Sequence, residues 1–278
     1  MKKNQVIYFL SVILIFVLGA CSSSETDKQL IDDNAVMEEN AEASSSNQQQ
    51  FFQLPSPVEL FMFLWEDGAP FNAANLNSID NVSKYVESKK KAINLGIYSA
   101  DLAYCTIYDK NQETMNLFSA TKRIAEDLGL TEGFDQTILE RIDQNIDNSD
   151  SLYQITSDSY SKTLTFLQSQ GQTKILPYIV YGGWLESVFI ATQTVKRFTP
   201  GSEIAVRITD QGLLLENLVE FFQSIEADDS NATLILKDLN ELTALYNEAI
   251  DTEDGIMSKD IYKKIKTKIE LIRKEVIK

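Results

Sequence analysis

Residues 175–192 read ILPYIVYGGWLESVFIAT, eighteen positions with one charged residue, Glu186. Apolar side chains fall on every face of a helix drawn through this stretch, which is typical of a helix at the centre of a protein. Residues 93–108, INLGIYSADLAYCTIY, follow the same pattern, with Asp101 as their only acid. The two stretches therefore predict two central helices, each carrying one carboxylate on an otherwise apolar surface.

Helical periodicity covers most of the chain outside these two stretches. The predicted helices span residues 57–67, 81–108, 112–128, 134–147, 150–169, 174–197, 203–226, 231–250 and 258–277. No alternating strand pattern interrupts them, and the chain holds only 11 glycines and 5 prolines. We predict an all-α protein, a single globular multi-helix bundle of about eight or nine helices.

The length of residues 175–192 also fits a membrane span. Glu186 near the middle, the pair Gly182-Gly183 and Pro177 all weigh against insertion into a bilayer. We therefore interpret this stretch as a buried helix of the bundle.

The N-terminus has the order of a bacterial export signal. Lys2 and Lys3 precede the apolar run 6–18, which ends in Leu18-Gly19-Ala20-Cys21. This ending resembles the lipobox of bacterial lipoproteins. The resemblance implies that residues 1–20 are a signal peptide, and that Cys21 carries a diacylglycerol and a further acyl chain such as palmitate. An ordinary secretory signal that ends in cysteine is the alternative.

Ser22 stands where lipoproteins retained in the inner membrane often have aspartate. The sequence therefore resembles the outer-membrane-directed class, which implies a lipid-anchored protein of the cell envelope at the outer membrane. Both the periplasmic face and the outer surface stay open.

Residues 21–53 differ in composition from the rest of the chain. Runs of serine and glutamine flank seven acidic residues that are opposed by Lys28 alone. Such a segment buries too little apolar surface to fold on its own. We predict a lipidated, flexible acidic tether with an r.m.s. span on the order of 30 Å. The folded all-helical domain is expected over residues 54–278.

Composition excludes several functions. The chain has no histidine, so histidine-based triads and histidine-ligated metals are absent, and two cysteines are too few for a structural zinc site. A net charge of −16 argues against nucleic acid as a partner. We expect no metal and no cofactor. With Cys21 lipidated, Cys105 has no partner for a disulfide, and its apolar surroundings in the sequence predict a buried thiol.

Asp101 and Glu186 are the candidate site, because a buried carboxylate is costly unless it is paired. If they face each other, nearby aromatic residues could complete a pocket for a cation, an amine or a polyhydroxylated ligand. The candidate ligand-binding residues are Tyr98, Asp101, Tyr104, Tyr108, Tyr181, Trp184 and Glu186. The alternative is that tyrosine hydroxyls and lysines satisfy both acids as purely structural contacts. A hydrolase that uses paired carboxylates ranks third.

The last helix, residues 258–277, is basic and amphipathic. Its isoleucines recur at helical spacing, and the segment 258–278 carries a net charge of 8 − 3 = +5. This helix either docks on anionic lipid or packs its apolar stripe on the core while its lysines complement an acidic body.

Two short segments, LGIYSADL at 95–102 and YGGWLE at 181–186, resemble uncharacterised all-helical lipoproteins of Gram-negative bacteria. The resemblance implies no particular activity. We expect a binding or assembly component of the envelope rather than an enzyme, with no catalytic residues. Its partners would be the membrane, through Cys21, and an envelope protein or small ligand. A receptor for a small ligand at Asp101 and Glu186 is the main alternative.

Overall fold

The computed structural model describes residues 57–130, 174–225, 229–251 and 255–278, with residue 227 and scattered residues between 138 and 169. All of them belong to the unit Asn47–Lys278, whereas the other unit, Met1–Ser46, lies outside the described residues. The predicted signal peptide and tether also lie outside them. The helices predicted at 134–147 and 150–169 fall in a stretch that is only partly described.

Helices account for all the regular secondary structure of the described residues, which contain no β-strand. They are α1 (Pro57–Glu66), two 3-10 helices (Ala73–Asn75 and Ile79–Lys84), α2 (Ser88–Ile107), α3 (Asn111–Asp127), α4 (Leu176–Thr194), α5 (Glu203–Ile225), α6 (Ser230–Ile250) and α7 (Lys259–Val276). The prediction of an all-α bundle is confirmed. Six of these seven α-helices lie within a few residues of their predicted bounds.

The predicted helix 81–108 is wrong in its first turns. Residues 79–84 form a 3-10 helix, and α2 begins only at Ser88. Tyr85 takes an extended conformation between the two, with φ −85° and ψ 100°. Its buried ring lies in the core, and its hydroxyl donates to the carbonyl of Ile277 at 3.3 Å. A tertiary contact with the end of the chain thus replaces the local helical conformation.

Helices α2 and α4 form the centre of the bundle, as their apolar sequences predict. Fifteen residues of α2 and seventeen of α4 are buried. Helices α1 and α3 pack on α2, α5 and α7 pack on α4, and α6 packs on α5 and α7. Within the described ranges, no helix has both the length and the apolar character needed to cross a membrane.

Helix α7 buries its apolar stripe on this core. Ile261, Ile265, Ile269 and Ile272 are all at most 5 % exposed. Lysines on one side of the helix form ion pairs with carboxylates of α6: Lys264 with Glu248, and Lys268 with Asp238 and Glu241. The isoleucine face is therefore occupied by the protein itself.

Candidate functional site

The close crossing of α2 and α4 brings the two carboxylates together. Gly96 lies against the backbone of Ile179 and Gly183, and Gly182 lies against the backbone of Ile93. An added Cβ at either glycine would overlap a main-chain oxygen of the facing helix. Because the backbones touch, Asp101 and Glu186, each about one turn further along its helix, meet in the core.

Glu186 is bound by Arg273 of α7 in a two-pronged ion pair. The Nε and Nη2 atoms of Arg273 donate to the two carboxylate oxygens at 2.7 and 2.6 Å. Nη2 also donates to the carbonyl of Asn75 at 2.8 Å, and the guanidinium lies 4.0 Å from the ring centre of Phe189. Glu186 is fully buried and Arg273 is 8 % exposed. Two-pronged, charge-assisted pairs of this kind are among the strongest hydrogen bonds in proteins.

Asp101 is held from the other side by the segment that precedes α2. Its Oδ2 accepts from the backbone N–H of Asn77 at 2.9 Å. Its Oδ1 is buried with no hydrogen-bond partner among the described residues, and the carboxyl group lies close enough to Glu186 for each to shift the pKa of the other. Two carboxylates in contact cannot both accept, so one of them must carry a proton.

The proton belongs on Asp101. Burial, and next the negative charge of Glu186, raises the pKa of Asp101 well above its usual range. Burial also raises the pKa of Glu186, but Arg273 opposes that rise. Protonated Asp101 therefore donates to ionised Glu186, whose single negative charge is balanced by Arg273. The site holds two carboxyl groups, one proton and no net charge.

Asparagine side chains extend this network to the end of α7. Asn77 donates to the hydroxyl of Tyr85 at 3.0 Å and, at 3.4 Å, to Asn94. Asn94 in turn donates to the carbonyl of Val276 at 3.2 Å. We did not predict Asn75, Asn77, Asn94 or Arg273 from the sequence. The available signal was that residue 273 is the only arginine in α7, where all other basic residues are lysines.

The predicted aromatic residues do not line one common pocket. Tyr98 lies close to the acid pair and donates to the carbonyl of Ser78 at 2.7 Å. Tyr104 and Tyr108 pack against each other and against Phe71.

Tyr181 lies edge-on to Phe222 of α5, with ring centres 5.7 Å apart. Trp184 is buried, and its Nε1 finds no acceptor among the described residues. Of the candidate residues, therefore, only Tyr98, Asp101 and Glu186 form one polar cluster.

The two carboxyl groups of this cluster are held by groups of the protein itself, while the Nδ2 of Asn75 is buried without a partner among the described residues. Arg273 already supplies the positive charge that a cationic ligand would bring. The partners of the acids are an arginine and a backbone N–H, rather than the tyrosines and lysines of the structural interpretation. Within the described part of the chain, no group of three or more acidic or cysteine side chains could hold a metal ion.

Grooves with described linings lie elsewhere. One of about 610 Å³ is open to solvent and lies along one helical face. Its lining consists of Asp158, Ser161, Lys162, Thr165, Phe166 and Ser169. None of the candidate residues contributes to it.

Comparison with protein-family models, with curated proteins and with solved structures finds no match to this chain.

The protonation assigned to Asp101 predicts how stability depends on pH. Because the folded-state pKa exceeds the ordinary value of about 3.9, the proton stabilises the fold in acid. That stabilisation is lost as pH rises from about 4 through the folded-state pKa, by up to about 1.4 kcal/mol per pH unit. An Asp101→Asn variant keeps both hydrogen bonds without a proton. Its free energy of unfolding should therefore rise relative to wild type across this window, measured by urea titrations at successive pH values.

The matched control is Asp127→Asn. The pKa of Asp127 is lowered because Lys91 donates to its carboxylate. That stability is present at neutral pH and is lost in acid, so this variant should show the opposite trend against wild type. If the free energies of unfolding of wild type and Asp101→Asn change with pH in parallel, the assignment of the proton to Asp101 is contradicted.

Proposed function

We propose that the chain is a lipid-anchored protein of the bacterial cell envelope, held at the outer membrane, that acts as a binding or assembly component. The ending Leu18-Gly19-Ala20-Cys21 after an apolar run is the observation that carries the anchor. The bundle would then be displayed at the membrane surface and would act through its exterior.

The burial of Asp101 and Glu186 supports a function carried by the outer surface of the bundle rather than by a site in its core. Asp101 and Glu186 are both fully buried and are bound by groups of the protein itself. A glycosidase needs its two carboxyl groups about 5–10 Å apart on either side of a substrate, whereas these two are in direct contact. A receptor for a cation would have to displace Arg273. Binding or assembly is therefore the better-supported proposal.

Replacing Cys21 tests the anchor directly. In cells fed a tagged fatty acid, the wild-type chain should incorporate the tag and fractionate with membranes, and Cys21→Ala should lose all incorporation. Cys105→Ala is the matched control, since Cys105 is buried in the core and should not affect lipidation. Equal labelling of wild type and Cys21→Ala would refute the anchor. Mass spectrometry of the mature N-terminus would show whether cleavage precedes Cys21.

A further inference from the structure

A cluster of basic side chains stands out on this acidic protein, at the end of the bundle where α4 finishes and α7 begins. We call it the basic end patch. It consists of Lys196, Arg197, Lys259, Lys263 and Lys266. The first four are exposed, and Lys266 is half-buried.

Two contacts bring the two segments of the patch together. The ring of Tyr262 stacks on Phe198, with centres 4.1 Å apart and planes 13° from parallel. The Nζ of Lys266 donates to the carbonyl of Thr192 at 3.0 Å. Lys196 and Arg197 immediately precede Phe198 in the chain. Basic groups of α7 and of the α4–α5 connection therefore share one surface.

This surface differs from the other lysine-bearing side of α7. Lys264 and Lys268 are neutralised by carboxylates of α6. In the part of the chain that the structure describes, no residue of the basic end patch forms an ion pair. Residues 196–203 and 255–266 contain two carboxylates, Glu203 and Asp260. Asp260 lies three positions before Lys263, so it stands at the border of the patch, where five basic side chains outnumber these two carboxylates.

The first described helix lies at the same end of the bundle. In α1, the ring of Phe61 packs on Tyr104 near the end of α2, with centres 5.2 Å apart. The guanidinium of Arg207, in the second turn of α5, lies 5.0 Å from the ring centre of Phe63. Helix α1 thus packs at the end of the bundle that carries the patch. Residues 22–53 are predicted to span only on the order of 30 Å as a coil.

An exposed apolar side chain borders the basic residues. Ile256, just before α7, is 38 % exposed and lies beside the turn at Gly201. Basic groups around an apolar side chain are the composition of protein surfaces that rest on anionic lipid headgroups. Because salt screens charge beyond about 10 Å, the local patch acts on a nearby surface despite the net charge of −16.

We infer that the basic end patch docks the bundle on the anionic lipid surface of the membrane in which Cys21 is anchored. This inference rests on the proposed anchor and adds an orientation to it. The end of the bundle with Lys196, Arg197 and Lys263 faces the headgroups, and the opposite end faces away. The docking is electrostatic, so it weakens with salt and with loss of anionic lipid.

Energy transfer from the protein to labelled lipid measures this orientation. The lipidated full chain is placed in phosphatidylcholine vesicles with or without phosphatidylglycerol, with an acceptor dye on the lipid headgroups. A donor dye is attached at Thr199→Cys, beside the patch, or at Ser224→Cys, about 30 Å away along α5. Acylation blocks Cys21, and burial raises the pKa of the Cys105 thiol, so each variant has one reactive cysteine.

We expect stronger transfer from position 199 than from position 224 in vesicles with phosphatidylglycerol, and a loss of this difference in high salt. Reversing Lys196, Arg197 and Lys263 to glutamate should lower the ratio of docked to undocked protein by at least roughly fivefold per residue, because each change removes an attraction and adds a repulsion. The matched control reverses Lys84, Arg123 and Lys237, which are exposed on other parts of the bundle and give the same net charge.

Three results would overturn the inference. Equal transfer from both positions, with the chain still floating with vesicles, leaves the anchor intact but shows that the patch does not dock on lipid; an acidic protein partner would give this result. If both triple charge reversals weaken docking equally, docking depends on the overall charge of the protein and not on the basic end patch. Failure of the chain to float with vesicles refutes the anchor, and the docking with it.

Discussion

A Gly182→Ala variant is expected to lose at least about 3 kcal/mol of its free energy of unfolding, the upper end of the usual cost of overpacking a core. The added methyl would overlap the carbonyl oxygen of Ile93 and approach its Cα. Both belong to the main chain of α2, so no side chain can rotate away to make room. The two helices would have to separate, which would also pull apart Asp101 and Glu186. Urea unfolding followed by far-UV circular dichroism measures the loss.

Gly212→Ala is the graded control for this prediction. Gly212 is also buried within a helix, but its added Cβ would meet the ring of Tyr246 at 3.0–3.1 Å. A ring can shift by a few tenths of an ångström, so the cost should be clearly smaller than at Gly182. Gly96→Ala should match Gly182→Ala, because it meets the backbone of Ile179 and Gly183. If either Gly182→Ala or Gly96→Ala is as stable as wild type, the close crossing of α2 and α4 is contradicted.

The helical architecture follows from properties that are local in sequence. A stretch such as 175–192, apolar on all faces, can only be stable when surrounded, so it predicts a central helix without any knowledge of its neighbours. Gly129 ends α3 with a positive φ of 74°, as expected for a helix C-terminus. The start of α2 was mispredicted because Tyr85 is fixed by the chain terminus at Ile277, far away in sequence.

The two acids of the candidate site could be predicted from the sequence, but their partners could not, because those contacts are also distant in sequence. Asp101 and Glu186 were recognisable because each is the lone acid of a largely apolar helix. The partners of the two acids come from distant parts of the chain. Arg273 lies 87 residues from Glu186. Asp101 is bound by the backbone N–H of Asn77, so the identity of that side chain does not reveal the contact. Sequence periodicity places a residue on a face of its own helix, but it does not identify which residue of another helix faces it.

The larger electrostatic effect is expected for Glu186→Gln, at about 3–5 kcal/mol. The change keeps the shape of the side chain but removes the carboxylate that receives both prongs of Arg273. A buried guanidinium would then have no full counter-charge in a core that excludes water. Urea unfolding at neutral pH measures the loss. A stability within about 1 kcal/mol of wild type would contradict the ion pair as the main partner of Arg273.

The double variant Asp101→Asn with Glu186→Gln separates the charge from the hydrogen bonds. In Glu186→Gln alone, Asp101 no longer faces a negative neighbour and can release its proton, which gives Arg273 a second-best counter-ion. The Asp101→Asn change removes this compensation, so the double variant should be less stable than the sum of the two single changes predicts, although Asp101→Asn alone is expected to be a gain. Additive changes in the free energy of unfolding would mean that Asp101 stays neutral regardless of Glu186. Greater-than-additive loss is what two carboxyl groups sharing one proton beside one arginine require.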